Sequence, residues 1–471
     1  MVHLPAEIID KILTHLIENH LWKYFPWAGK VLSWHPPLLW SDLTCTDQSA
    51  VHGHGTRLHE SIYSLRLVSR EWNCGIAPLL AKYTTWNIHL DSDQSTQSAL
   101  ACLENRSDHL PPTRELVRRL RIEPGKICLR DEASSGTTND YKTAGTYLYG
   151  LLSGLDRVES LDLSFLAVYK NNYDVEKTNK LVEAIRHGLT ETNVLRRVAD
   201  IQLKVPTTYH AGRILGAISG DRQTQLSRLL VKIEDSSGVA GDRHYLETNF
   251  MDTDERDGTI EESDDEDDER VAWNRENFPR SDLQLRYPNR RNQKELWDFV
   301  FSCPNLEALS IASTHYLNLH EIVRERRPSF QGLRVLHLGR VYAASSSIIP
   351  LLQPAENAPA PRLQRLVLND VKAPDDGGLW GELAGDLLTD APDLDLAFFW
   401  NLSYFDFCEQ GAGLSSPADS TVIDSSDDGD LEPIQALARK LARMHGDKDS
   451  WPFWLRETVD EILYSDDEFC E

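Results

Sequence analysis

No apolar run reaches the roughly 18 residues that a membrane-spanning helix needs, so the chain is read as having no membrane span. The first apolar run is broken by Glu7, Asp10 and Lys11, which excludes a secretory signal there. Cysteine is sparse: seven residues stand at 45, 74, 102, 128, 303, 408 and 470, and none forms a C-x-x-C pair. That scatter predicts reduced thiols in the cytoplasm or nucleus rather than a disulfide framework. Positive charge is in deficit too, with 49 Lys and Arg against 74 Asp and Glu, a net charge of -25. Broad contact with a nucleic-acid backbone is therefore not expected. Nor is there a phosphate-cradling loop, a dinucleotide fingerprint or a nucleophile–base signature, since "GAGLSS" (411–416) reads as linker glycine. The residues predict a protein that is not an enzyme and holds no cofactor and no metal.

What the chain does have is a recurring apolar spacing. A length of 471 residues exceeds one compact core unless the core is a repeat array. Seven segments carry Leu, Ile or Val in the pattern apolar-x-x-apolar-x-apolar: Val117-Leu120-Ile122, Val158-Leu161-Leu163, Val198-Ile201-Leu203, Leu226-Leu229-Val231, Leu306-Leu309-Ile311, Leu333-Leu336-Leu338 and Leu363-Leu366-Leu368. About five such matches arise by chance at this composition, so the intervals between starts carry the reading. They are 41, 40, 28, 80, 27 and 30 residues. Removing the acidic stretch 234–285, 52 residues long, reduces the interval of 80 to 28. Each segment predicts a strand with its aliphatics turned inward, and the strands together predict a parallel sheet. "Leu402-Ser-Tyr-Phe405-Asp-Phe407" reads as a weaker eighth strand.

The intervals near 28 and the strand pattern are similar to leucine-rich repeats. The resemblance implies an irregular repeat domain over 87–408, because Leu166, Val341 and Val371 stand where regular repeats carry asparagine. The outward strand positions would then be the binding face, including Arg119, Arg121, Ser160, Asp162, Asp200, Gln202, Ser310, His337 and Arg365. Of these, Arg119, Arg121, Asp162, Gln202, His337 and Arg365 are the candidate contacts for a protein substrate, whose class their mixed chemistry does not name.

At the start of the chain, "LPAEIIDKILTHL" (4–16) has one apolar face, with Pro5 where a helix begins without needing its N–H. "SLRLVSREWNCGIAPLLAKYTTW" (64–86) supplies a second helical segment. The two halves, carried by Leu4, Pro5, Glu7, Ile8, Ile12, Leu13 and Leu16 and by Leu65, Leu67, Val68, Ser69, Arg70, Trp72, Ala77, Leu79 and Leu80, resemble the F-box in its fungal form. The resemblance implies docking on the Skp-family adaptor of an SCF (cullin–RING) ubiquitin ligase, with the other domain holding the substrate. Matching motif positions make Leu4, Pro5, Ile8, Leu65, Val68 and Trp72 the adaptor contacts. The chain departs from the family in the long insert at 19–60, rich in tryptophan and proline, which either folds outward or covers the adaptor face. The expected architecture is thus α/β: an F-box bundle over 1–86, then an irregular leucine-rich-repeat solenoid with a parallel sheet. The alternative is a non-catalytic repeat scaffold whose degenerate F-box engages no ligase.

Three further features are weighed. Between Asp252 and Glu269 stand twelve acids against Arg256 alone, a local charge of -11 that predicts a solvated, disordered insertion. "SDDE" at 263–266 and again at 465–468 makes Ser263 and Ser465 candidate acceptors for an acid-directed kinase. The histidines at 3, 15, 20, 35, 52, 54 and 59 fit no standard zinc spacing, so no metal site is assigned to them. The Gly-, Ser- and Asp-rich stretch 409–430 reads as a linker, and 431–471 as C-terminal helices (431–445 and 451–464) with an acidic tail, placed to cap the last repeat.

Overall fold

The computed structural model describes residues 85–89, 117–123, 148–165, 175–218, 220–233, 286–287, 289–325, 330–352, 363–374, 380–394, 396–400 and 403–405, with parts of 432–441. Adaptor candidates Leu4, Pro5, Ile8, Leu65, Val68 and Trp72, kinase candidates Ser263 and Ser465, the insert 19–60, the acidic stretch 234–285, the linker and helix 451–464 all lie outside these residues. The chain divides into two compact units, Met1–Trp86 with Ala101–Leu120, and Asn87–Leu100 with Arg121–Glu471. Nearly all the described residues belong to the second.

The fold is α/β, organised on one sheet of ten strands. The strands are β1 (Thr85–His89), β2 (Arg119–Glu123), β3 (Ser160–Ser164), β4 (Asp200–Val205), β5 (Arg228–Ile233), β6 (Ala308–Asn318), β7 (Val335–Tyr342), β8 (Arg365–Pro374), β9 (Leu396–Trp400) and β10 (Ser403–Phe405). From β1 to β8 their spatial order is their sequence order. All pairs from β3 onward are parallel, and β9 and β10 both pair with β8.

Alternation explains why these segments form a sheet. Each strand puts every second residue on one face, and on one face those residues are the predicted aliphatics. Leu161, Ile201, Leu229, Leu309, Leu336 and Leu366 are partners in register across six strands, and so are Leu163, Leu203, Val231, Ile311, Leu338 and Leu368. All twelve are 0–1% exposed, and each such side chain contributes about 1.5–3 kcal/mol when withdrawn from water. The backbone repeats one step as well. The carbonyl of Glu159 accepts from the amides of Ala199 and Asp200, Ala199 from Ser227 and Arg228, Ser227 from Glu307 and Ala308, Glu307 from Arg334 and Val335, and Arg334 from Gln364 and Arg365.

Strands β5 and β6 are directly paired, so the long interval between them is a single connection with no strand inserted between them. Val341 and Val371, at two of the positions where asparagine was missing, are fully buried and paired in register with each other, and Val341 pairs with Leu317 on its other side. The strands therefore run on past that point, which gives β6, β7 and β8 their greater length. A step in register lies between Ala312 and Leu317, and on the facing strand Arg340 takes a left-handed conformation (φ 54).

The sequence template needs two corrections. It admitted only Leu, Ile and Val, and so passed over β1 and β9; in β9, Ala397 and Phe399 are the register partners of Leu366 and Leu368. The eighth strand expected at 402–407 is the short β10, paired not with the template positions but with the end of β8, Lys372–Pro374.

The connections carry the helices α1 (Val175–Glu191), α2 (Thr208–Leu215), α3 (Asp221–Gln225), α4 (Asn289–Asn292), α5 (Lys294–Phe301), α6 (Leu319–Glu325), α7 (Ser345–Leu352) and α8 (Trp380–Asp390), of which α3 buries none of its residues. Helix α1 buries Leu181, Val182, Ile185 and Leu189, a stripe at helical spacing. Gly212 lets α2 approach α5, since a Cβ there would lie 3.0 Å from the Cβ of Glu295. The described part of 432–441 is helical, with Ile434, Leu437 and Leu441 buried as its periodicity predicts. Its Lys440 donates to the carbonyls of Leu388 and Ala391 at the C-terminal end of α8 (3.2 and 3.3 Å), where such carbonyls lack helical partners.

Candidate functional site

The face of the sheet opposite the aliphatic one holds the sequence-predicted contacts. Strand alternation puts Arg121 and Glu123 there on β2, and Arg119, in the first unit, is half-buried. From β3 onward the register aligns this face in three rows. The first contains Ser160, Asp200, Arg228, Val335 and Arg365; the second Asp162, Gln202, Leu230, Ser310, His337 and Val367; the third Ser164, Lys204, Lys232, Ala312, Gly339 and Asn369. Strands lie about 4.8 Å apart. The six steps from Arg121 on β2 to Arg365 on β8 therefore spread the predicted residues over about 29 Å along the sheet. They form an extended array rather than converging on one point.

Charge is concentrated in the N-terminal strands. Arg121 donates to the carboxylate of Asp162 at 2.5 Å and lies 3.5 Å from Glu123. Asp162 is mostly withdrawn from water, and that burial raises its pKa more than the adjacent Arg121 lowers it. Asp200 accepts from Ser160 (3.3 Å) and lies 4.0 Å from Arg228. Gln202 is half-buried beside Asp162 in register.

His337 departs from expectation. Its alternation is as predicted, but it is 6% exposed and is no surface contact. Its neighbours explain this: Ser310 and Val367, its register partners on either side, are themselves 5% exposed. The ring Nδ1 lies 2.8 Å from the Ser310 hydroxyl. Burial disfavours the imidazolium and pushes the pKa down to about 4, so the ring is neutral at pH 7. The Ser310 hydroxyl and Nδ1 share one hydrogen bond, whose direction follows the tautomer of the ring. Nε2 is buried without a hydrogen-bond partner and points along the strand toward Gly339, where a Cβ would stand 3.7 Å from it. A Ser–His pair of this kind lacks the third group that orients a catalytic base, and burial is the one cause that sets its titration. Further along the strands Tyr316 and Tyr342 pack at 4.9 Å between centroids, with the Lys372 ammonium 4.9 Å from the Tyr316 ring.

On the helical side lies a cluster that the sequence did not announce. The Thr207 side chain caps α2, accepting from the His210 amide (3.4 Å), and its hydroxyl lies 2.7 Å from His210 Nδ1. His210 Nε2 lies 3.0 Å from Asn179 Oδ1, and Asn179 Nδ2 donates to the Tyr287 hydroxyl at 2.8 Å. Tyr287 stacks on Tyr209 at 4.1 Å, and Asn289 accepts from the Thr208 amide at 2.8 Å. Both ring nitrogens of His210 are engaged, and burial lowers its pKa to about 4. The cluster fastens Tyr287 and Asn289, close behind the acidic stretch, onto α1 and α2. A threonine three residues before a histidine was its one local signal; Asn179 and Tyr287 stand 108 residues apart.

Cys303 is a free, buried cysteine whose thiol is pushed up to about 12, an inert group. Among the described residues no group of three or more His, Cys, Asp and Glu side chains could hold a metal ion, and no helix is long and apolar enough to cross a membrane. No family model matches the chain, and no curated protein matches it.

Proposed function

We propose that this chain is a substrate-recognition subunit of an SCF (cullin–RING) ubiquitin ligase. Its F-box-like segments, 4–16 and 64–86, would dock on the Skp-family adaptor, and an irregular leucine-rich-repeat solenoid would hold a protein substrate. The observation that carries the reading is the extended face of about 29 Å, built from successive strands that are parallel from β3 onward. Small molecules are bound in concave pockets where a few polar groups converge, whereas an extended sheet surface made by stacked units suits contact with protein. The carbonyl step repeated from Glu159 to Arg334 supports a repeat origin for that sheet. The chemistry is positioning, with transfer performed by the partners.

Co-expression of the full chain with a Skp-family adaptor tests the proposal. A stable complex, lost on Leu4→Asp or Ile8→Asp while the melting temperature is kept, is the expected outcome. Absence of a complex with the unaltered chain would sink the ligase reading and leave a repeat scaffold.

A further inference from the structure

We infer that the folded protein stays assembled when its chain is broken between β5 and β6. The part ending at Ile233 and the part beginning at Arg286 hold each other through the sheet and a side-chain staple, without the stretch that joins them. The inference goes beyond the reading above and does not depend on it. Its first basis is the length of the connections. Between β4 and β5 lie 22 residues (206–227), and between β7 and β8 another 22 (343–364). Between β5 and β6 lie 74 (234–307), although these two strands are paired as directly as the others. The last 22 of them, 286–307, carry α4 and α5 and equal a whole connection elsewhere in the sheet. The other 52, 234–285, exceed what the fold needs at this place, and they include the run from Asp252 to Glu269.

Its second basis is the seam between the two parts, which runs through both layers. Six residues of β5 pair in register with β6, from Arg228 opposite Ala308 to Ile233 opposite Ser313, and Leu229, Val231, Leu309 and Ile311 are buried along it. At one end the Ser227 carbonyl accepts from the amides of Glu307 and Ala308, and Asn305 donates to the Thr224 carbonyl at 2.7 Å. The staple lies where the chain returns. Tyr287 stacks on Tyr209 and accepts from Asn179. Asn289, 3% exposed, accepts from the Thr208 amide through its side chain and from the Thr208 hydroxyl through its backbone carbonyl at 3.0 Å. Gln293 accepts from the Asn318 amide at 2.8 Å, which fixes the returning segment to its own strand as well. Opening the staple leaves the buried Thr208 amide without its acceptor, a cost that holds it shut. A break in the joining stretch gives up an effective concentration of about the millimolar order, and it leaves every one of these contacts in place.

The test cuts the full chain after it has folded. A recognition sequence for a specific endoprotease is placed within 252–269, the protein is digested, and the product is run on a sizing column at about 1 µM. The two pieces are expected to elute together at the position of the uncut chain, and to separate in urea. Asn289→Ala, which removes the acceptor of the Thr208 amide, should weaken the association of the cut chain about tenfold or more. Tyr287→Phe, which keeps the stack and removes the hydroxyl, should weaken it about fivefold. Glu191→Gln, exposed at the end of α1, should change it less than about twofold. Equal melting temperatures of the uncut proteins establish that the variants fold, and either staple variant suffices if the other does not. Pieces that elute apart or precipitate overturn the inference. So does a site that resists the protease, because the joining stretch then belongs to the body, and so does a staple variant that weakens association no more than Glu191→Gln.

Discussion

Mild acid should destabilise this protein through two histidines on opposite sides of the sheet. His210 and His337 are both buried, and burial lowers each from 6.5 to about 4. In the unfolded chain each returns to the ordinary value, so between the two values the unfolded state binds more protons. Stability is then fully present above about pH 7, and it falls as pH drops through 6.5 toward 4. With those two values, lowering pH from 7.5 to 5.0 removes about 2 kcal/mol per histidine, about 4 kcal/mol for the pair. That is a large share of the 5–15 kcal/mol by which domains are ordinarily stable. The groups around each ring do not oppose the shift. Ser310, Gly339 and Val367 surround His337, while Thr207, Asn179, Tyr209 and Tyr287 surround His210, with the Glu183–Arg213 ion pair close to Tyr209. Urea midpoints measured at pH 7.5 and 5.0 on the unaltered chain, His210→Gln and His337→Gln provide the assay. Each substitution has its own cost, but the difference between the two pH values should shrink by about 2 kcal/mol in each variant. Relief of the acidic self-repulsion on lowering pH acts on all three proteins alike and drops out. If the variants lose as much stability as the unaltered chain between the two pH values, the buried neutral histidines are not what the structure makes them.

Two further outcomes follow from packing. Leu338→Ala removes a fully buried side chain flanked in register by Ile311 and Leu368, and should cost about 3–4 kcal/mol by urea unfolding, whereas Gln202→Ala on the opposite face should cost less than about 0.5 kcal/mol. Gly212→Ala should destabilise by about 1–2 kcal/mol despite alanine's better helix propensity, because the Glu295 carboxyl can swing away from the new methyl but the Glu295 Cβ at 3.0 Å cannot; a melting temperature at or above that of the unaltered chain would refute the close approach.

The aliphatic face of the sheet was legible in the sequence because its information is local and periodic. Val198, Ile201 and Leu203 declare a strand without reference to anything else, and the next segment declares the same register. Where the aliphatics gave way to other apolar residues, as at Ala397 and Phe399, the pattern went unread although the register continued. His337 shows the opposite limit. Alternation placed it on the outward face, but its exposure depends on what lies beside and above it, and Ser310 and Val367 are as buried as it is. The cluster at His210 was invisible for a plainer reason. Its parts come from α1, from α2 and from residues after the acidic stretch, and only the folded chain brings Asn179 to Tyr287.

Lys204 and Lys232 stood in the same strands as the named candidates and were still passed over. They lie one residue beyond the last aliphatic of each segment, just outside a template that ends there. Taken singly, each is an ordinary charged residue after a strand, at positions 28 apart. Their meaning is relational: Ile201 opposite Leu229 and Leu203 opposite Val231 force Lys204 opposite Lys232. The burial of one face thus fixes the juxtaposition of charges on the other. The position of each lysine relative to the other is set by the hydrophobic register beneath them and by no local signal of its own.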